Sequence, residues 1–190
     1  NMSDPVFEKG YPSYDAVNRE SYYDYMGRKM REEDAKQLKW DKRFMTMASL
    51  MACWSKDPSS QIGAIVVNDE RRILATGYNG FPKGIDDTEE RLNNRELKYP
   101  LIVHAETNAL MNALYSGVSV KDATMYVYGL PVCPECTKLI IQAGVRRVVI
   151  KPNTPMTPQT WVDLWDNQSA PMFKEAGVMV STVGESSSGE

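Results

Sequence analysis

Two short strings, His104-Ala105-Glu106 and Pro131-Val132-Cys133-Pro134-Glu135-Cys136, each stand where the surrounding pattern predicts the start of a helix. A helix start favours nearby negative charge and lowers thiol pKa values. Two cysteines separated by two residues at such a turn can reach one metal ion together. His104 is the single histidine in 190 residues, and the cysteines number three: Cys53, Cys133 and Cys136. Any imidazole chemistry therefore passes through His104, and an odd, small cysteine count argues for metal binding or free thiols over a disulfide framework. One imidazole nitrogen and two thiolates suit zinc, and three protein ligands leave a fourth tetrahedral position for water, as a catalytic rather than a closed site does. Glu106 is then the natural carrier of a proton from an attacking water to a ring nitrogen and on to a leaving amine.

The rest of the chain supplies a scaffold for those two helix starts. Residues 1–30 hold five tyrosines and no steady period, and read as an irregular arm. Residues 33–54 space Leu38, Phe44, Met47, Ala48, Leu50 and Met51 as an amphipathic helix. Ile62 to Val67 and Arg72 to Thr76 read as a hairpin turning at Asn68-Asp69-Glu70. The polar stretch from Gly77 to Pro100 reads as a long loop, a feature more often functional than idle in a compact domain. Helices are expected over 103–115 and from 136 to 143, and a short one over 172–176. Strands are expected over 125–128, 148–150 and 178–183. The order α-β-β-α-β-α-β-α-β describes an α/β fold with a mixed five-stranded sheet between helices. The expected organisation is the arm 1–30, a single domain over 31–184 and a mobile tail over 185–190.

Charge and hydropathy narrow the setting. The formal net charge is −3, which argues against a protein that wraps nucleic acid. No apolar run approaches the roughly 20 residues that span a bilayer, and the stretch Asn1 to Arg19 is polar and carries acids. A cytoplasmic location is expected, in the host's cytoplasm if the gene belongs to a phage.

His-x-Glu followed by Pro-Cys-x-x-Cys is the signature of zinc deaminases of nucleobases; here Val132 separates the proline from the first cysteine, a departure confined to the loop. Three further strings accompany it: Ser55-Lys56-Asp57-Pro58-Ser59-Ser60-Gln61-Ile62-Gly63-Ala64, Gly77-Tyr78-Asn79-Gly80-Phe81-Pro82-Lys83-Gly84, and Leu139-Ile140-Ile141-Gln142-Ala143-Gly144-Val145. With them the chain, from about Trp40 to Lys151, resembles the deoxycytidylate deaminases, phage members included. The resemblance implies the three-layer cytidine deaminase fold, one catalytic Zn2+, a dCMP or dCTP substrate and a hexamer. It makes His104, Cys133 and Cys136 the zinc ligands and Glu106 the catalytic acid and base. It gives Asn79 the sugar hydroxyl, Ser55 and Lys56 the phosphate, Tyr126 a wall of the base pocket, and Ala105 a contact with the substrate. It also makes Gly80, Lys83, Asp86 and Asp87 part of a second nucleotide site, where dCTP activates and dTTP inhibits, with Mg2+ beside the triphosphate. A second, structural zinc found in some phage relatives needs further histidines, and is not expected here.

Other readings stay open at this stage. Cys53 with His104, Cys133 and Cys136 makes a closed structural zinc site, which would leave Glu106 without a purpose; alternatively Cys53 fills the core. Related chemistry on tRNA or a single-stranded polynucleotide is a rival, as is a zinc-stabilised binding module without catalysis. Asn79 before Gly80 is also a common turn pair, Lys56 an ordinary surface lysine, Tyr126 a strand residue facing the core, and 81–100 a solvated loop.

Overall fold

A computed structural model describes residues 22–183, so residues 1–21 of the expected arm over 1–30, and the whole of the expected tail over 185–190, lie outside the described residues. The chain falls into two compact units, 1–39 and 40–190. The helix α1, Tyr22–Ala52, begins in the first and ends in the second. Residues 22–30 are therefore helical where an irregular arm was expected. Good helix formers stand only at its end, at Met26 and Arg28 to Met30, and Arg28 and Lys29 both pair with Glu32 one turn on.

The second unit is built on one sheet of β1 (Gly63–Val67), β2 (Ile73–Tyr78), β3 (Thr124–Tyr128), β4 (Arg147–Ile150) and β5 (Met179–Thr182). The strand order is β2-β1-β3-β4-β5. β1 runs antiparallel to both neighbours, whereas β3, β4 and β5 are parallel. On one face lie α4 (Ala105–Tyr115), α5 (Pro134–Gln142) and α7 (Ala170–Glu175), packed over Ala64, Val66, Met125, Val127 and Val148. On the other face, Phe44, Met45 and Ala48 of α1 cover Ile65, Val67, Tyr126 and Val149. Alternation along each strand thus yields two cores and three layers.

Two glycines set how closely the helices approach. A Cβ on Gly63 would lie 2.0 Å from the Ala48 carbonyl oxygen of α1, and one on Gly77 would lie 2.4 Å from that of Ala105 in α4. The hairpin is therefore gripped by bare backbone from both sides. β2 is an edge strand, and α4 partly covers its edge: Asn112 Nδ2 donates to the Thr76 carbonyl at 2.7 Å and Asn108 Nδ2 to that of Tyr78 at 2.8 Å.

The stretch 77–100 is not structureless. It holds the short helices α2 (Glu89–Asn93) and α3 (Arg95–Lys98), capped by the Thr88 and Asn94 side chains. The proline-rich stretch after β4 contains α6 (Gln159–Leu164) and a π-helical turn, Trp165–Ser169, that runs into α7. Both short-helix regions lack a sustained apolar period; side-chain caps hold the first, while the second has none and is held by packing of Trp165 and Phe173 into the core.

Candidate metal centre and active site

His104 and Cys133 occupy equivalent positions, each the last extended residue before a helix. His104 precedes α4 with φ −69° and ψ 153°; Cys133 precedes α5 with φ −74° and ψ 161°. Pro134 fits the first turn of α5 because its missing N–H would have had no intrahelical acceptor. The Cys133 sulfur accepts from the Cys136 N–H at 3.4 Å, which folds the pair onto one side of the turn. Just before α4, Gly80 and Val103 bond each other in both directions, N–H to carbonyl, at 3.1 and 2.8 Å, so the end of β2 holds the residue next to His104.

These local structures bring His104 Nδ1 within 3.3 Å of Cys133 Sγ and 3.4 Å of Cys136 Sγ. The ligand atoms of the three residues all lie within 4.8 Å of one another. Zinc bonds of about 2.05 Å to nitrogen and 2.3 Å to sulfur, at a tetrahedral angle, would separate N and S by about 3.6 Å. The donor set and its spacing therefore fit Zn2+. Cys53 is exposed, donates to the Ser49 carbonyl at 3.4 Å, and is not part of the cluster. The closed four-ligand site is thus not formed.

The electrostatics mark a site whose groups compete for protons at short range, as ligands of a cation do. The Cys136 thiol, with help from His104, pulls Cys133 well below the ordinary thiol range. The same Cys133–Cys136 hydrogen bond, with burial, pushes Cys136 above the ordinary thiol range. His104 is raised, chiefly by its hydrogen bond with Cys133. Glu106, only 3% exposed, is pushed up to about 7 by burial, against a weaker pull from its own backbone N–H and from His104. It sits in the first turn of α4, two residues from the imidazole.

The other candidate residues divide. Asn79 is buried beside this end of the sheet. Its Oδ1 accepts from the Ile62 N–H at 2.9 Å, and its Nδ2 donates to the Ser60 carbonyl at 2.8 Å, so a ligand would use the second amide hydrogen. Ser55 is not open to a phosphate: it is buried, and its hydroxyl donates to the Asn79 carbonyl at 2.8 Å. Lys56 is exposed and pairs with Asp87 at 2.9 Å. Ala105 is fully buried, backbone included. Tyr126 does not reach the site. Its ring packs on Phe44 at 5.3 Å and its hydroxyl donates to Asp41 Oδ1 at 2.6 Å, on the α1 face; strand alternation turns it away from His104. Gly80 is tied to Val103, while Lys83 and Asp86 are exposed.

Sequence reasoning missed two neighbours of the cluster. Thr107 Oγ1 lies 3.5 Å from Cys136 Sγ, and the half-buried Trp161 ring lies 6.3 Å from that of His104. Thr107 could have been found from its place directly after Glu106. Trp161 sits in a stretch with no periodic signal.

Comparison with known proteins agrees with this geometry. Residues 38–151 match the family model described as the cytidine and deoxycytidylate deaminase zinc-binding region. The deoxycytidylate deaminase of Mus musculus is 48% identical over 119 residues, covering 59% of this chain and 64% of the relative, so the chain spans under two thirds of that protein's length. An uncharacterized deaminase of Aliivibrio fischeri is 37% identical over 146 residues, covering 75% of this chain and 92% of the relative. The dCMP deaminase of cyanophage S-TIM5, solved in complex with dCMP and dUMP, superposes with a TM-score of 0.60 at 29% identity, covering 76% of this chain and 97% of that one. The family model spans more than half of the chain and includes every residue of the metal cluster, so the chain belongs to the cytidine and deoxycytidylate deaminases.

Proposed function

We propose that the protein hydrolyses dCMP to dUMP and ammonia. The observation that carries this reading is a buried carboxyl, Glu106, in the first turn of α4 two residues after His104, which joins Cys133 and Cys136 of the α5 start in a cluster fit for zinc. Zinc, when bound, supplies the Lewis acidity that makes water a nucleophile at neutral pH. Glu106 takes a proton from the water that attacks C4 of the base and delivers one to N3. It then takes the remaining proton of the hydroxyl added at C4 and hands it to the exocyclic nitrogen, whose bond to C4 breaks to release ammonia and leave the C4 carbonyl. Burial keeps this carboxyl away from bulk water, which would otherwise exchange its proton.

Asn79 and Lys56 are the proposed contacts to the sugar and the 5′-phosphate. Support for Lys56 is electrostatic: its pair with Asp87 is solvent-exposed, hence weak and readily exchanged for a phosphate. The reading extends to a hexamer in which dCTP activates and dTTP inhibits through Gly80, Lys83, Asp86 and Asp87, with Mg2+ beside the triphosphate. Its support is the position of these residues at the start of a segment tied to the loop that carries Lys56.

The deciding experiment incubates the protein with cytidine, dCMP, dCTP and an oligonucleotide and follows the loss of cytosine absorbance. Turnover of dCMP far above that of cytidine is expected; turnover of the oligonucleotide alone would transfer the protein to polynucleotide chemistry. Sigmoidal dependence on dCMP, steepened by dTTP and relaxed by dCTP with Mg2+, tests the effector site. Simple competition by dTTP, unchanged in Lys83→Ala, would remove it.

A further inference from the structure

Residues 81–100 take no part in the chemistry above, yet they are fastened to its surroundings at two consecutive residues. Lys56 meets Asp87 at the surface. Asp57 meets Lys98 at 3.0 Å in the interior, with side chains 7% and 4% exposed. The two fastenings differ in kind. A surface pair is screened and worth little, whereas a buried pair carries a desolvation cost that well-packed apolar residues would avoid. Its presence calls for something that apolar packing does not supply, namely a fixed orientation.

The hydrogen bonds show what is oriented. Asp57 Oδ1 accepts from Lys98 Nζ and also from the Ser59 N–H at 2.8 Å and the Ser60 N–H at 3.4 Å. Lys98 Nζ donates as well to Ser59 Oγ at 2.9 Å. The ammonium thus fixes the carboxylate, and the carboxylate fixes the turn 57–60. That turn presents the Ser60 carbonyl and the Ile62 N–H, which grip Asn79, and Asn79 leads into the Gly80–Val103 bridge beside His104. A second route is shorter: the Lys98 carbonyl accepts from the Leu101 and Ile102 N–H groups at 2.9 and 2.8 Å, shaping the turn that delivers Val103 and His104.

We infer that the Lys98–Asp57 pair is a strut, and that both are positioning residues holding the loop 55–62 and Asn79 in the register at which a nucleotide binds. Only the kinetic part of this inference rests on the deaminase reading. The strut sets substrate affinity, and the proton chemistry of Glu106 does not depend on it.

The test uses the full-length, zinc-loaded chain and the double variant Lys98→Met/Asp57→Asn. It removes both charges and leaves an amide oxygen to accept from the Ser59 and Ser60 N–H groups, so a purely structural pair is replaced without an orphaned charge. The expected result is a KM for dCMP raised about tenfold with kcat and zinc content kept, since a displaced positioning group costs binding before chemistry. Amide hydrogen exchange at Ser59, Ser60 and Ile62 should accelerate in the same variant. Unchanged KM together with unchanged exchange would overturn the strut. Ser59→Ala, which removes a single bond and leaves the ion pair, decides the matter should the double variant not fold: a smaller rise in KM with faster local exchange supports the strut, and wild-type values refute it. If the wild-type protein does not turn over dCMP, the deaminase reading has failed, and the exchange measurement alone decides the strut.

Discussion

Asp41 and Glu106 are carboxyls buried to nearly the same degree, 4% and 3% exposed, on helices packed against opposite faces of one sheet. Asp41 is answered in full: Arg147 reaches both of its oxygens and Tyr126 donates to one of them, while Arg147 Nε also meets Ser181 on β5. Burial and this partner push the Tyr126 phenol well above its ordinary range and hold it neutral. Glu106 has only its own N–H and the neighbouring imidazole to offset its burial, and its pKa rises to about 7. One face spends its buried charge on fastening α1 to β3, β4 and β5. The other leaves its carboxyl with capacity to take up and release a proton. Equal burial therefore says little about role; the completeness of the partners separates an acid held in its charged form from one near its proton-exchange point, as the role proposed for Glu106 requires.

The contrast breaks first at Glu106. Glu106→Gln should lower dCMP turnover by about 10²–10⁴ while metal analysis still finds zinc and urea unfolding is no easier. Wild-type turnover in this variant would erase the distinction. His104→Ala should instead lose the zinc itself. Asp41→Asn should show the reverse signature: a loss of about 3 kcal/mol in unfolding free energy from an Arg147 left without its full partner, with the folded, zinc-loaded fraction retaining its KM and kcat. A loss of kcat there would mean that the two faces are coupled. Gly77→Ala sharpens the picture from the scaffold side. Its methyl would meet the Ala105 backbone, and overpacking of this kind costs about 1–3 kcal/mol. Because the displaced segment is the start of α4, reduced zinc affinity should accompany it. The smallest effect belongs to Cys53→Ser, in which zinc content and turnover should match wild type.

The metal cluster was legible in the sequence because both halves are local: each string opens its own helix, and helix starts are written in caps, prolines and periodicity. The alternation of the strands was legible for the same reason. What could not be read is which side of the sheet a given alternation faces. Tyr126 was expected beside the base and lies on the α1 face, since a period of two is identical for either orientation. Pairings far apart in the chain were also hidden. Asp41 with Arg147, and Asp57 with Lys98, are ordinary charged residues until the fold joins them. The segment 77–100 read as a loop because its two helices are too short for a hydrophobic period. Their caps, Thr88 and Asn94, were the available signal.

The asparagines that α4 lays along β2 bear on how this sheet can meet other chains. An edge strand ordinarily invites another strand to add to it through its outward carbonyls and N–H groups. Here the outward carbonyls of Thr76 and Tyr78 are already engaged by Asn112 and Asn108. A strand arriving at this edge would have to strip off two side chains whose helix also carries the metal ligand's turn, so sheet extension would tug directly on the site. Association is thereby steered away from continuous β-structure and towards contacts between helix faces, where Met111, Leu114 and Tyr115 stand exposed on the same helix.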